Sequence, residues 1–378
     1  MRYVDPSTGR SYPVDTPRWR ADGGHYLNLE TGPGLTRRDV DPSCRSVWRY
    51  ARAIAVPAES AVTMGEGWTP LVPGEWAGAP VLYKLDFMMP TGSFKDRGTT
   101  VMVSYLRSRG LDHVLEDSSG NAGASLAAYA AAAGMRCRIL VPETASYPKI
   151  AQIAACGADV VTIAGSRQDV AEAALRQSAE IFYASHNWQP FFVEGTKTLA
   201  FELWEQLGWQ APDNVVVPLG YGSNVLGCER GFAELARSGE IGARPRIFGV
   251  QAARCAPYHA AFVAGGETLV PTEIAPTLAE GIASAKPTRV SEVLRAVRET
   301  GGTIVAVEEA EIVGALRDLT RRGLYVEPTS AAAAAGLTRL VTSGAIRPRE
   351  RTVLVLTGSG LKAGATIGDV LQLSARRA

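Results

Sequence analysis

The chain has 378 residues, 46% of them hydrophobic and 20% charged, with 39 basic and 38 acidic side chains for a formal charge of +1. So even a balance leaves no broad electrostatic field, which argues against a nucleic-acid partner or an anionic membrane surface. One hydrophobic core seldom fills such a length, so two domains or one large α/β unit are expected.

No run of about 18 apolar residues occurs. The opening Met1-Arg2-Tyr3-Val4-Asp5-Pro6 has no apolar secretory core, so a soluble, cytoplasmic protein without a membrane is expected. The five cysteines (Cys44, Cys137, Cys156, Cys228, Cys255) are scattered without C-x-x-C spacing, which speaks against a disulfide framework or a thiolate metal site.

Residues 1–60 are rich in Pro, Arg, Asp and Trp with little periodicity and read as short strands in an exposed appendage wrapped around the main body. From about Val81, β-branched or apolar runs are each followed by a Gly/Ser/Asn turn and an Ala-rich helix, the pattern of βαβ units. Strands are predicted over 113–115, 137–141, 159–163, 214–218, 246–251, 303–307 and 352–356, and helices over 124–133 and 198–207. The fold class is therefore α/β, with twisted, mostly parallel sheets flanked by helices. Such sheets bind ligands beyond the carboxyl ends of their strands, so the turns found there are the candidates for chemistry.

The turn Pro90-Thr91-Gly92-Ser93-Phe94-Lys95-Asp96-Arg97-Gly98 holds one lysine just ahead of a helix. A lone lysine is usually a solvated charge. Desolvated among Phe94, Met88 and Met89, its amine has a lowered pKa and becomes a nucleophile able to form a Schiff base. Ser118-Ser119-Gly120-Asn121-Ala122-Gly123 offers hydroxyls and helix-start N–H groups to an anion such as a carboxylate, or simple helix capping. Pro218-Leu219-Gly220-Tyr221-Gly222-Ser223-Asn224 is either a tight turn or a phosphate cradle; without G-x-G-x-x-G spacing or an acidic ribose ligand, a smaller phosphate ligand suits it better than a dinucleotide. In Thr357-Gly358-Ser359-Gly360-Leu361-Lys362 a strand-end hydroxyl can bond a neutral ring nitrogen, or the stretch is a plain C-terminal turn. An amine, an anion cradle, a phosphate cradle and a neutral hydroxyl are together what pyridoxal phosphate holding an amino acid requires.

These residues resemble the fold-type II pyridoxal-phosphate enzymes, and within them the threonine synthases most. The matching stretches are Gly65-Glu66-Gly67-Trp68-Thr69-Pro70, the lysine turn, Ser119-Gly120-Asn121, Glu194-Gly195-Thr196-Lys197-Thr198, Val326-Glu327-Pro328 and the turn from Leu356 to Lys362, in the family's order over roughly residues 60–370. The resemblance implies a two-domain fold like the tryptophan synthase β chain, in which 61–97 and 196–378 form a large cofactor-binding domain and 98–195 a small substrate-contacting one. It implies that Lys95 carries pyridoxal 5'-phosphate and serves as acid and base. Asn121 then bonds the ring hydroxyl, Gly220, Tyr221, Gly222, Ser223 and Asn224 hold the phosphate, Thr357 meets the pyridine nitrogen, and Ser118, Ser119 and Ala122 receive the substrate carboxylate. The implied activity is elimination or replacement at the β or γ carbon of an amino acid, by a homodimer.

The departures from that family matter as much. Gly9, the stretch from Tyr12 to Pro17, and Gly23-Gly24 echo a zinc-knuckle frame, but its cysteine positions are taken by Asp5, Thr8, Arg20 and Asp22, so a hairpin without metal is expected. The polar run usual before the lysine turn gives way to Asp86-Phe87-Met88-Met89, and that before Glu194 to Gln189-Pro190-Phe191-Phe192. A more apolar pocket follows, with Arg167, Arg97 and Lys197 as the nearby cations, so weak use of O-phosphohomoserine is expected and better use of a less charged amino acid. Ala279-Glu280-Gly281-Ile282-Ala283 is similar to threonine and serine dehydratases. The alternatives are thus a threonine/serine ammonia-lyase, a β-replacement synthase of specialised metabolism acting on an O-activated serine or homoserine, and a catalytically silent relative that binds the cofactor or an effector.

Overall fold

The computed structural model describes residues 1–373 apart from Pro33, Thr144 and Ser146, with the backbone alone at 147–149. Strands β1 (Arg2–Val4), β2 (Ser11–Pro13) and β3 (Asn28–Leu29) make a small antiparallel sheet with β1 in the middle. Then come β4 (Leu71–Trp76) and β5 (Ala79–Lys84), helix α1 (Lys95–Ser108), β6 (His113–Glu116), α2 (Asn121–Ala132), β7 (Arg136–Pro142), α3 (Tyr147–Ala155), β8 (Asp159–Ile163), α4 (Arg167–Gln177) and β9 (Phe182–Tyr183). The chain continues through α5 (Pro190–Thr196) and α6 (Thr198–Gln206) to β10 (Asn214–Pro218), α7 (Ser223–Arg237), β11 (Arg246–Ala252), α8 (Pro257–Val263), α9 (Val290–Glu299), β12 (Ile304–Val307), α10 (Glu309–Arg321), α11 (Pro328–Thr342), β13 (Thr352–Val355) and α12 (Gly364–Leu371).

The strands sort into two larger sheets. One has six strands in the order β12-β11-β10-β13-β5-β4, the other four in the order β8-β7-β6-β9. Every neighbour pair in them is parallel except β4 with β5. Buried parallel strands must be apolar on both faces, and β10 is buried along its whole length. Alanine-rich α11 lies on this sheet closely enough that a Cβ on Gly336 would stand 2.4 Å from Val250 Cγ2. The strands expected from the sequence all form, with ends shifted by a residue or so. Helix α2 starts earlier than expected, so Asn121 is its first residue. Among the described residues no helix is long and apolar enough to cross a membrane.

The N-terminal segment corrects one expectation, because it is not an exposed wrap. Tyr3, Leu27, Leu35, Val47 and Tyr50 are buried in the cores of the body. Tyr3 shares a 2.6 Å hydroxyl–hydroxyl hydrogen bond with Tyr105 and meets the Phe191 ring edge-on, while Phe191 stacks on Tyr105. At the positions of the absent cysteines, Asp5 accepts hydrogen bonds from the Ser7 N–H, the Thr8 hydroxyl and His25 Nδ1, at 2.9, 2.9 and 3.2 Å. Arg20 covers the Trp19 ring, and Asp22 pairs with Arg10 and Arg18.

Candidate active site

Lys95 opens α1, and the loop that delivers it from β5 is pinned by buried charge. Arg97 donates to both carboxylate oxygens of Asp86 at 2.8 Å and to Glu202 on α6 at 2.8 and 2.9 Å. Lys84, from the end of β5, bonds the same Glu202. Burial works against the Glu202 carboxylate, but Arg97 and Lys84 outweigh it and hold its pKa well below the ordinary range. Within the loop, Asp96 accepts the N–H and hydroxyl of Thr91 at 2.8 and 2.6 Å. This scaffold holds the Lys95 amine 4.8 Å from the centre of the Phe94 ring and 5.5 Å from that of Phe192. Burial lowers its pKa to about 8, against the smaller opposing pull of the Glu116 carboxylate.

The other turns converge on this lysine. The Phe94 N–H donates to the Thr357 carbonyl at 2.9 Å, and Ser93 bridges Gly358. The Ser330 hydroxyl oxygen accepts the N–H groups of Thr357 and Gly358 at 2.9 and 3.1 Å and lies 3.2 Å from Thr357 Oγ1. Ser330 thus holds the Thr357 backbone and its hydroxyl in one hydrogen-bonded cluster. Asn121 donates to Glu327 Oε2, and the Glu327 N–H donates to the Gly358 carbonyl. Ser118 Oγ accepts the Gly120 N–H at 3.3 Å, and among the described residues no side-chain hydrogen bond caps α2.

The glycine turn before α7 is a backbone cradle. Gly222 has φ +95°, and a Cβ there would stand 2.3 Å from Val293 Cγ2. A Cβ on Gly220 would come within 3.0 Å of the Gly281 carbonyl. Among the described residues no side chain caps α7, and buried Asn224 Oδ1 has no hydrogen-bond partner. The Tyr221 ring meets the His186 ring at 5.7 Å.

Two expectations about the pocket wall change. Met88 is 58% exposed and Met89 packs its sulfur against the Gly67 N–H, so Phe192 rather than either methionine faces the amine. Two of the cations are also taken: buried Arg97 bonds Asp86 and Glu202, and buried Lys197 bonds Glu194 and Glu234, whereas Arg167 bonds Asp117 through one nitrogen and stays partly exposed. Sequence reasoning passed over Glu116, His186 and Ser330, whose contacts are made only by the fold. The one available signal was the position of Glu116 at a strand end beside the serine turn.

The pyridoxal-phosphate dependent enzyme family matches residues 62–358. The chain is 36% identical over 368 residues to the threonine synthase of Methanocaldococcus jannaschii, covering 94% of this chain and 91% of that one. It is 39% identical over 338 residues to the threonine synthase of Methanosarcina acetivorans, covering 87% and 83%. The solved structure of threonine deaminase isoform 2 from Solanum lycopersicum shares the fold, with a TM-score of 0.71 at 22% identity over 92% of this chain and 100% of that one.

The chain belongs to the pyridoxal-phosphate dependent enzyme family. It is a threonine synthase-like lyase that uses pyridoxal 5'-phosphate for elimination or replacement at the β or γ carbon of an amino acid. The residues present fit that cofactor: a half-buried amine among aromatic rings, a glycine cradle at an uncapped helix start, the orphaned Asn224 oxygen, and a supported hydroxyl at Thr357.

Proposed function

We propose that Lys95 carries the cofactor and moves protons at the α carbon of a small amino acid whose side chain loses or exchanges an oxygen substituent. The observation that carries this reading is the Lys95 amine held between two aromatic rings with a pKa of about 8. An amine so tuned is partly neutral near physiological pH and can both take and give a proton. Gly220, Tyr221, Gly222, Ser223 and Asn224 hold the cofactor's phosphate, since α7 begins there uncapped with its N–H groups available. Asn121 faces the ring hydroxyl and Thr357, supported by Ser330, the ring nitrogen. Ser118, Ser119 and Ala122 receive the substrate carboxylate at the uncapped start of α2.

The cofactor supplies an electron sink for the carbanion formed at the α carbon. A hydroxyl at its ring nitrogen, in place of a carboxylate, leaves that nitrogen neutral, which favours reactions whose leaving group departs early. Sorting of the strands into two sheets supports the division into 61–97 with 196–378 for the cofactor and 98–195 for the substrate. The free cysteines suit a reducing cytoplasm, where the enzyme works as a homodimer.

The test is a panel of O-phosphohomoserine, O-phosphoserine, O-acetylserine, O-acetylhomoserine, threonine and serine, following phosphate, 2-oxo acid and new amino acid. Lysine-dependent turnover of at least one supports the reading. Silence from the whole panel, with no change in the cofactor's spectrum, sinks it.

A further inference from the structure

Of the three cations near the site, the fold leaves one available. Arg97 and Lys197 are each buried against two carboxylates, whereas the Arg167 side chain is 46% exposed. Among the described residues Arg167 makes a single hydrogen bond, from Nη1 to Asp117 Oδ2 at 2.8 Å. Its Nε and Nη2 form the other edge of the guanidinium, a planar fork that can meet two oxygens of one phosphate.

The topology brings this guanidinium to the substrate end of the four-stranded sheet. Strands β6, β7 and β8 are parallel, so the turn after β8, where Arg167 opens α4, lies at the same carboxyl end as Asp117 and the serine turn after β6. A reciprocal cap between Ser166 and Asp169 fixes the first turn of α4. Asp117 is fixed as well, because its other oxygen accepts the Tyr183 hydroxyl at 2.7 Å and Trp19 packs edge-on against the Tyr183 ring.

Arg167 also acts across the cleft. Burial pushes the pKa of the Tyr221 phenol in the glycine turn upward, and the Arg167 charge is the strongest pull against it. Burial first, then the charge of Lys95, hold the His186 imidazole well below its ordinary value, and Arg167 adds to them. His186 thus stands in the field of both the reacting amine and the guanidinium, with its ring 5.5 Å from that of Phe192 and 5.7 Å from that of Tyr221. Burial also pushes the Glu116 and Asp117 carboxyls up, toward their neutral forms, while an arginine stays charged.

Resting on the functional reading above, we propose that Arg167 is a specificity-determining residue, which takes the phosphate of a phosphate-ester substrate on its Nε and Nη2 edge while Asp117 holds Nη1. Phe192 and the lysine turn are then left to the apolar stem and the α carbon. This reverses the expectation from sequence that O-phosphohomoserine is used weakly, because the cation arrives from α4 and not from the elements that carry Phe192 and the methionines.

O-phosphohomoserine and O-acetylhomoserine share a carbon skeleton and differ in the charge of the ester, so they are the probes. For each, kcat, KM and the apparent Kd read from the cofactor's visible spectrum are measured with wild type, Arg167→Gln and Arg167→Lys. Wild type should bind the phosphate ester at least about tenfold more tightly than the acetyl ester, and Arg167→Gln should shrink that preference at least about tenfold, through Kd and KM more than through kcat. Arg167→Lys keeps the charge but loses the fork, and should fall between the two. Should an unpaired Asp117 keep Arg167→Gln from folding, the double variant Arg167→Gln/Asp117→Asn removes both charges and should show the same loss. Equal or weaker binding of the phosphate ester by wild type, or a preference that loss of the guanidinium leaves intact, overturns the proposal. The Lys95-dependent visible band, recorded before any ester is added, checks the cofactor reading separately, so the two failures are told apart.

Discussion

Asn121 Nδ2 donates a hydrogen bond to Glu327 Oε2 over 2.9 Å, tying the first residue of α2 to the residue that precedes α11. The four-stranded sheet and the six-stranded one thereby meet through a polar contact beside Gly358, where a Cβ would stand 3.3 Å from the same amide nitrogen. Glu327→Ala is expected to release Asn121 and weaken cofactor binding about tenfold, or about 1.4 kcal/mol. Glu327→Gln keeps an acceptor and should stay close to wild type. Titration of apoenzyme with pyridoxal phosphate, followed by tryptophan fluorescence, measures both.

Lys95→Ala should abolish the lysine-dependent visible band and lower turnover by at least about 10³, since both covalent attachment and proton transfer are lost. The protein should still fold, because the loop is anchored by Arg97 and Asp96 rather than by the lysine. An intact band in the variant's absorption spectrum would show that another amine holds the cofactor.

Arg97→Met should be among the most destabilising single changes. It leaves Asp86 and Glu202 buried without their guanidinium, a loss on the order of 3–5 kcal/mol. Lys84 still touches Glu202, which limits the damage at that carboxylate alone. Arg97→Lys recovers only part, since an ammonium cannot span two carboxylates as the planar fork does. Urea denaturation midpoints of the three proteins rank them.

The N-terminal hairpin should hold no zinc, and its stability should depend on acid. Burial pushes the Asp5 carboxyl upward, but the Ser7 N–H, His25 and the Thr8 hydroxyl outweigh it and keep its pKa below the ordinary value. A group lowered on folding adds stability that is full above its unfolded value of about 4 and is lost as the pH falls through the folded one. Asp5→Ala should therefore cost roughly 1–3 kcal/mol at neutral pH and nearly nothing in strong acid. Elemental analysis checks the metal, and hydrogen exchange of β1 and β2 against pH checks the carboxylate. Stoichiometric zinc lost on deleting residues 1–25 would overturn the claim.

The alternation of strands and helices was legible because it is local: apolar runs such as 214–218 and the glycine turns that follow them announce themselves within a few residues. The lysine turn was legible for the same reason. What the sequence concealed was pairing at a distance. Glu116 and His186 are 70 residues apart and meet only because β6 and β9 run side by side. Nearness along the chain also misled at Met88, which the turn before Lys95 sends into solvent while Phe192 arrives from α5. Residues 1–60 read as surface because their apolar residues lack a period, yet several find separate places in the body, as Tyr3 does against Tyr105 and Phe191.

Asn28, the first residue of the small N-terminal sheet's last strand, is held by Glu292, Arg289 and Arg230 at 2.7 Å each. A partner 264 positions further on has not yet been made when Asn28 leaves the ribosome. At about 5–20 residues per second, this segment waits tens of seconds for its binding surface during synthesis. Its docking is then a late, non-local event of the slow kind that loop closure imposes. Until it happens, Tyr105 and Phe191 lack the cover of Tyr3, which makes the nascent chain most prone to aggregation between the synthesis of Phe191 and that of Glu292.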